Sequence, residues 1–318
     1  MGKYVIKRLL IMIPILLGIS FIVQLLISVT PGDPARIIAG AGSEEWEYEK
    51  IREELGLNNP LLVRFGNFLG GVLKGDFGKS FHTKRPIWEE IKTRFPYTFI
   101  IATLSVFCSV LIGIPLGIYA ATHQYSWKDN AAVFLSLVSV SMPAFWFALL
   151  LVQLFSVTLG WLPVAGIRQW QGWILPIVSL VLGYTASITR QMRSNMLEVV
   201  RQDYIVTARA KGQSERKVLF RHALKNALIP VVQTIGGLYS MALGGALIAE
   251  MIYSIPGLGS YTLTGLQNRD YPIIQGSVLF LSTISCVMIL LIDIAFSFID
   301  PRIRMQYVRR KKRAKEVA

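Results

Sequence analysis

Leu9-Leu10-Ile11-Met12-Ile13-Pro14-Ile15-Leu16-Leu17-Gly18-Ile19-Ser20-Phe21-Ile22-Val23-Gln24-Leu25-Leu26-Ile27-Ser28-Val29 runs for 21 residues without a charge. As a helix rising about 1.5 Å per residue, it is long enough to cross the roughly 30 Å hydrocarbon core of a bilayer. Lys3, Lys7 and Arg8 precede it, as the basic residues of a signal peptide would. The apolar run exceeds a secretory h-region, however, and Thr30-Pro31-Gly32-Asp33-Pro34 follows it instead of a small-x-small cleavage site. It reads as a retained first span. Five further apolar stretches follow, at Thr98–Ala121, Ala131–Leu159, Trp173–Thr189, Leu228–Ala249 and Gly276–Phe298. The expected fold is an all-α membrane protein with six transmembrane helices. The third stretch is long enough to tilt or to extend beyond the lipid. Trp161, Trp173 and Tyr97 lie near stretch ends, where amphipathic rings favour the interface.

Composition agrees. Of 318 residues, 53% are hydrophobic and 16% charged, below the roughly 25% charge of a soluble domain. Cys108 and Cys286 each sit in an apolar run and read as small buried hydrophobes, not as a disulfide pair. The formal net charge of +14 is unevenly spread. Thr30–Pro96 carries ten basic and ten acidic residues, whereas Arg190–Asn226 carries nine and three. The tail after Asp300 carries eight basic residues and one acidic. If six spans alternate, every basic segment falls on one side, which the positive-inside bias makes the cytoplasm. Both termini are then cytoplasmic and Thr30–Pro96 is external. The expected divisions are 1–29 (first span), 30–96 (external cap), 97–300 (membrane core, including the loop 190–226) and 301–318 (basic tail). The cluster Arg309–Arg313 has only Tyr307 beside it, so the charge suits lipid and not nucleic acid.

Two loops carry local structure. Externally, Glu44–Glu54 reads as a charged helix stopped by Gly56 and Asn58-Asn59-Pro60, and Leu61–Leu73 as an apolar one. Internally, Asp203 is placed to cap a helix with Tyr204, Thr207 and Ala208 on one face and Gly212 as its breaker. Ser214 is placed to cap a second helix, Glu215–Leu228, with Pro230 restarting the chain at the membrane surface. Such a pair forms either a knob that enters a partner's groove or a basic hairpin lying on head groups.

The run Tyr204-Ile205-Val206-Thr207-Ala208-Arg209-Ala210-Lys211-Gly212, then Arg221-His222-Ala223-Leu224-Lys225-Asn226-Ala227-Leu228-Ile229-Pro230, resembles the coupling motif of ABC importer permeases. Val206 and Thr207 replace the Glu-Ala of the general motif, as in the dipeptide, oligopeptide and nickel branch. Thr30–Pro34, Leu55-Gly56-Leu57 with Pro60-Leu61, Gly75–Ser80 and Asp300-Pro301-Arg302 resemble further segments of that branch, in the same order. The resemblance implies a type I importer permease with cytoplasmic coupling helices, serving import of short peptides into a prokaryotic cell. Nickel, or another small peptide-like solute, is the alternative cargo. Implied partners are a second, homologous permease, two ATP-binding cassette subunits and an external solute-binding protein. ATP and magnesium would be used by the cassette subunits, and this chain would bind no cofactor. Asp203, Tyr204, Thr207, Ala208, Arg209, Gly212 and His222 are the implied coupling residues. Arg209, with Lys211, Arg216 and Lys217, either pairs with acids at the rim of the ATPase groove or merely reflects the positive-inside bias.

Ionisable residues at membrane depth are functional candidates. Glu250 closes the fifth stretch, ahead of Met251–Gly259, and either faces the mouth of a pathway with Tyr253 or makes a structural hydrogen bond. Asp293 reads as structural. Gly236-Gly237 and Gly244-Gly245 allow the fifth span to pack closely and bend, as a pathway-lining helix must, and Gly113 and Gly117 form a small-x-x-x-small pair. Pro115 and Pro143 permit kinks. Enzyme readings find no support. Gly78-Lys79-Ser80 lacks the spacing of a phosphate loop, and His82, His123 and His222 are scattered. A secondary carrier or channel is the other class open to the sequence, though the paired repeats common in carriers are not evident.

Overall fold

A computed structural model describes residues 2–40 and 42–299. The basic tail and the Asp300-Pro301-Arg302 motif lie outside the described residues. The chain folds into α1 (Gly2–Val29), α2 (Pro34–Ala39), α3 (Glu45–Glu54), α4 (Leu61–Leu73) and α5 (Ile87–Thr122). Next come α6 (Trp127–Ser141), α7 (Ala144–Leu151) with a π turn over Val152–Thr158, and α8 (Ile174–Val200). The remainder is α9 (Asp203–Ala210), α10 (Glu215–Lys217), α11 (Leu224–Ile252), α12 (Leu258–Gln267) and α13 (Tyr271–Ile299). No β-strand forms among the described residues.

Five helical stretches among them are long and apolar enough to cross a membrane, and a bent pair makes a sixth if counted as one span. That pair corrects the expectation of one long third span. Helices α6 and α7 meet at 100°. Pro143 lacks an N–H and disfavours the helical region at the residue before it; Met142 is extended, with φ −80° and ψ 128°. Two spans are also longer than their apolar cores. Helix α5 starts at Ile87, which puts Tyr97 well inside it, and α8 continues past Thr189 to Val200. The extra turns carry polar residues, so hydropathy alone could not include them.

The described chain forms two compact units. Among the described residues the first comprises Gly2, 101–245 and 287–299. Within it α5 lies against α8 along a small-residue stripe spaced by four: Ser105, Ser109, Gly113 and Gly117. Ser105 and Ser109 donate to the Ile177 and Val181 carbonyls at 3.4 and 3.2 Å. A Cβ on Gly113 would lie 2.9 Å from Ile188 Cβ, and one on Gly117 2.7 Å from the Thr189 carbonyl oxygen. Any side chain there would push the helices apart.

The second unit comprises Lys3–Ile100 and Ala246–Cys286. Its core joins Ile87 and Ile91 to Leu258, Tyr261 and Ile273. Trp88 stacks on Phe77 at 5.4 Å, and Phe95 meets Phe280 edge-on at 4.9 Å. Helix α2 is started by Asp33, whose carboxylate accepts from Ala35 N (2.9 Å) and from Tyr48 Oη of α3 (2.8 Å). Arg269 donates to the Pro31 carbonyl and, at 3.3 Å, to that of Gly32. Thr30–Pro34 is therefore a fastened turn.

Candidate functional site

Helix α9 begins at Asp203, with Gln202 as its N-cap and no side-chain cap bond, so Asp203 does not cap the helix as expected. It supplies a negative charge in the first turn, where the helix dipole favours one. The other end stops as the sequence suggests. Gly212 has φ +72°, Gly212 N donates to the Arg209 carbonyl (2.9 Å), and Gln213 N reaches back to that of Ala208 (3.4 Å). This double bond pattern is a Schellman closure, which calls for the left-handed conformation that glycine adopts most easily.

Tyr204, Thr207 and Ala208 do not share an exposed face. Ala208 is buried with Ile205 against the chain's own helices, while Tyr204, Val206 and Thr207 are exposed. The small alanine thus admits the fold's own packing, and the outward surface of the knob is Tyr204, Val206, Thr207 and the Arg209–Gly212 end.

The expected second short helix is also corrected. From Glu215 the chain runs through α10 and a π turn, Val218–Ala223, directly into α11, with Pro230 inside that helix. A proline in a membrane helix forfeits one backbone bond, which neighbouring turns can absorb. The second arm of the knob is therefore a continuous extension of the fifth span, with α9 joined to it through the turn at Gly212.

Side chains brace it. His222 Nε2 donates to Gln213 Oε1 (2.8 Å), and Asn226 Nδ2 donates to Tyr204 Oη (2.7 Å). Asn195 of α8 donates to the Ala227 carbonyl at 3.1 Å. Arg209 is committed within the chain: its Nε and Nη2 grip Glu215 at 3.0 and 2.6 Å. That hydrogen-bonded carboxylate raises the guanidinium pKa above its ordinary value. In this chain Arg209 therefore joins α9 to the start of α10.

A second ion pair went unread in the sequence. Asp129 is buried in the first turn of α6 and accepts from Arg193 of α8 through both oxygens, at 2.5 and 2.7 Å. Asp129 Oδ2 also accepts from Tyr125 N at 3.1 Å, and Ser126 caps the same turn. The legible signal was the Ser126-x-x-Asp129 spacing of a helix start. Nothing local identified Arg193 as the partner.

The candidate pathway residues separate. Glu250 is fully enclosed within its unit. Thr98 Oγ1 donates to its Oε1 at 2.5 Å, and Ser260 N to its Oε2 at 2.7 Å. Leu258 N in turn donates to Thr98 Oγ1 at 2.8 Å. A Cβ on Gly257 would collide with the Glu250 carboxylate. These are structural hydrogen bonds of the kind the sequence left open for Glu250. Tyr253 is 2% exposed. Gly244 is exposed with nothing near its Cβ position, while Gly245 lies 3.3 Å from the Tyr184 hydroxyl oxygen by the same measure.

Residues 113–305 match the family described as binding-protein-dependent transport system inner membrane component, and residues 1–102 match the N-terminal region of such components. The chain belongs to this permease family. It is 41% identical over 304 residues to the glutathione transport system permease protein GsiC of Salmonella choleraesuis strain SC-B67, covering 96% of this chain and 99% of that one. The Escherichia coli K12 protein of the same name is 40% identical over the same length. An inward-facing structure of the MetNI methionine ABC transporter superposes with a TM-score of 0.53 at 17% identity, covering 67% of this permease and 96% of that chain. That likeness shows the type I importer permease fold. The permease is a multi-pass membrane subunit of an ABC importer, and its expected resemblance to the peptide branch stands.

Proposed function

We propose that the permease forms half of a pathway for short peptides of about the size of glutathione, paired with a second, homologous permease. The observation carrying the cargo is the 41% identity to glutathione permeases along nearly the whole chain. Delivery is by a solute-binding protein, and hydrolysis of ATP with magnesium takes place on two cassette subunits. The Arg190–Asn226 loop and both termini face those subunits in the cytoplasm, as the charge asymmetry favours.

In this reading the exposed Val206–Thr207 surface of α9 enters a groove on a cassette subunit. Asp203 and the Gly212 closure set the length of the knob. Tyr204, Ala208, Arg209 and His222 fix it to α8 and α11, so that movement at the groove is passed into two spans as a rigid displacement. Gly244 and Gly245 lie on the stretch of α11 that lines the pathway.

Reconstitution with both cassette subunits, the partner permease and the binding protein tests this. Labelled glutathione and dipeptide uptake into vesicles is expected to require ATP hydrolysis and the binding protein. Thr207→Arg on the exposed face should cut uptake at least tenfold while the complex still binds cargo outside. Uptake that persists without the cassette subunits would overturn the reading in favour of a carrier. ATP-driven nickel uptake without peptide uptake would overturn the cargo alone.

A further inference from the structure

Beside the knob, the start of the fifth span carries Arg216, Lys217, Arg221 and Lys225, with the last three spaced by four on one helical face. Arg193 and Arg209 on neighbouring elements each grip a carboxylate. These four cations, by contrast, make no hydrogen bond or ion pair with any described residue. With Ser214 and Phe220 they line a recess of about 560 Å³. A second recess, of about 480 Å³, shares Arg216 and Phe220 with it and continues between Pro115, Ile118, Tyr119 and Leu219. Phe220 lines both and is 53% exposed. Glu215 and Thr122 border the second recess, but Arg209 already occupies the Glu215 carboxylate.

The level of these recesses is marked by aromatic residues. Tyr119 lines the apolar one, and Tyr125 and Trp127 follow at the turn into α6, 81% and 75% exposed. Lys128 Nζ lies 5.4 Å from the Tyr119 ring centroid. Exposed Tyr and Trp beside Lys are the signature of a head-group boundary. An unpaired basic recess adjoining a mostly apolar one at that level has the polarity of one phospholipid, phosphate in the first and acyl chain along the second. A free phosphate would have no use for the apolar recess.

We propose that this double recess binds an anionic phospholipid of the leaflet facing the cassette subunits. Its phosphate sits among Arg216, Lys217, Arg221 and Lys225, and an acyl chain lies along Ile118, Leu219 and Phe220. The inference rests on the cytoplasmic placement proposed above, but lipid retention is measured without ATP or cargo, so either reading can fail alone. A lipid held there would lie against the base of the knob and make coupling sensitive to leaflet charge.

The test is native mass spectrometry of the full chain from micelles doped with phosphatidylglycerol or phosphatidylcholine, with inorganic phosphate as competitor. One phosphatidylglycerol is expected to stay bound in preference to phosphatidylcholine. Lys217→Gln/Arg221→Gln should lower that retention roughly tenfold or more without moving the unfolding midpoint. Phe220→Ala should weaken phosphatidylglycerol while leaving any binding of inorganic phosphate unchanged. Equal retention of the two lipids would overturn the proposal. Full displacement by inorganic phosphate, unaffected by Phe220→Ala, would reduce it to a head-group-sized anion site and likewise overturn it. Loss of cassette-subunit binding by the double variant in lipid-free detergent, with lipid retention intact, would reassign the surface to a protein partner.

Discussion

The turn around Glu250 and the knob around Arg209 are each organised by one glutamate, in opposite surroundings. Glu250 is sealed among Thr98, Gly257, Gly259 and Ser260, and its partners have no water to fall back on. Glu215 is more than half exposed, and either member of its pair with Arg209 can exchange the other for solvent. Removing one partner from an enclosed site leaves the rest unsatisfied, whereas breaking an exposed pair loses little. The enclosed turn suits a fixed joint. The exposed knob, held by several weak bonds, suits a part whose surface must meet another protein.

Four substitutions put that contrast at risk, each read as the unfolding midpoint in detergent. Glu250→Ala should be the most severe, at about 3 kcal/mol, because it orphans the Thr98 hydroxyl and the Ser260 N–H together. An effect below that of Arg209→Ala would refute the contrast outright. Thr98→Val should follow at about 2 kcal/mol, since it removes a donor to Glu250 and the acceptor for Leu258 N in one step. Gly212→Ala should destabilise by about 1 kcal/mol, the strain of a left-handed backbone with no clash to add to it. The same variant should lower ATP-driven uptake far more than that strain suggests, because it alters the closure of the knob; unchanged uptake would separate Gly212 from coupling. Arg209→Ala should be smallest, at about 0.5 kcal/mol, with uptake reduced and salt able to mimic part of the stability loss.

Much of the architecture was legible because a bilayer imposes length and polarity on each span. Helices α3 and α4 fall on Glu45–Glu54 and Leu61–Leu73, close to or at the expected bounds, since Gly56, Pro60 and Gly75 punctuate the chain there. Hydropathy failed where helices carry polar residues on purpose. It stopped α8 at Thr189, before Arg193 and Asn195, although both side chains make bonds that anchor the helix inside the first unit. It also joined α6 to α7, because a bend at Met142–Pro143 changes direction without changing polarity.

By itself the sequence determined the apolar spans, the glycine closure at Gly212 and the family motifs, all of which are local or read by composition. Only the tertiary structure decided which way Ala208 faces, that Arg209 answers Glu215 and Arg193 answers Asp129, and that Glu250 is walled in by Thr98 from 152 positions away. The physical reason is that a charge in a sequence declares its need for a partner but not the partner's address. That address is set by how helices pack, through contacts such as Gly117 against Met192, which no window along the chain contains.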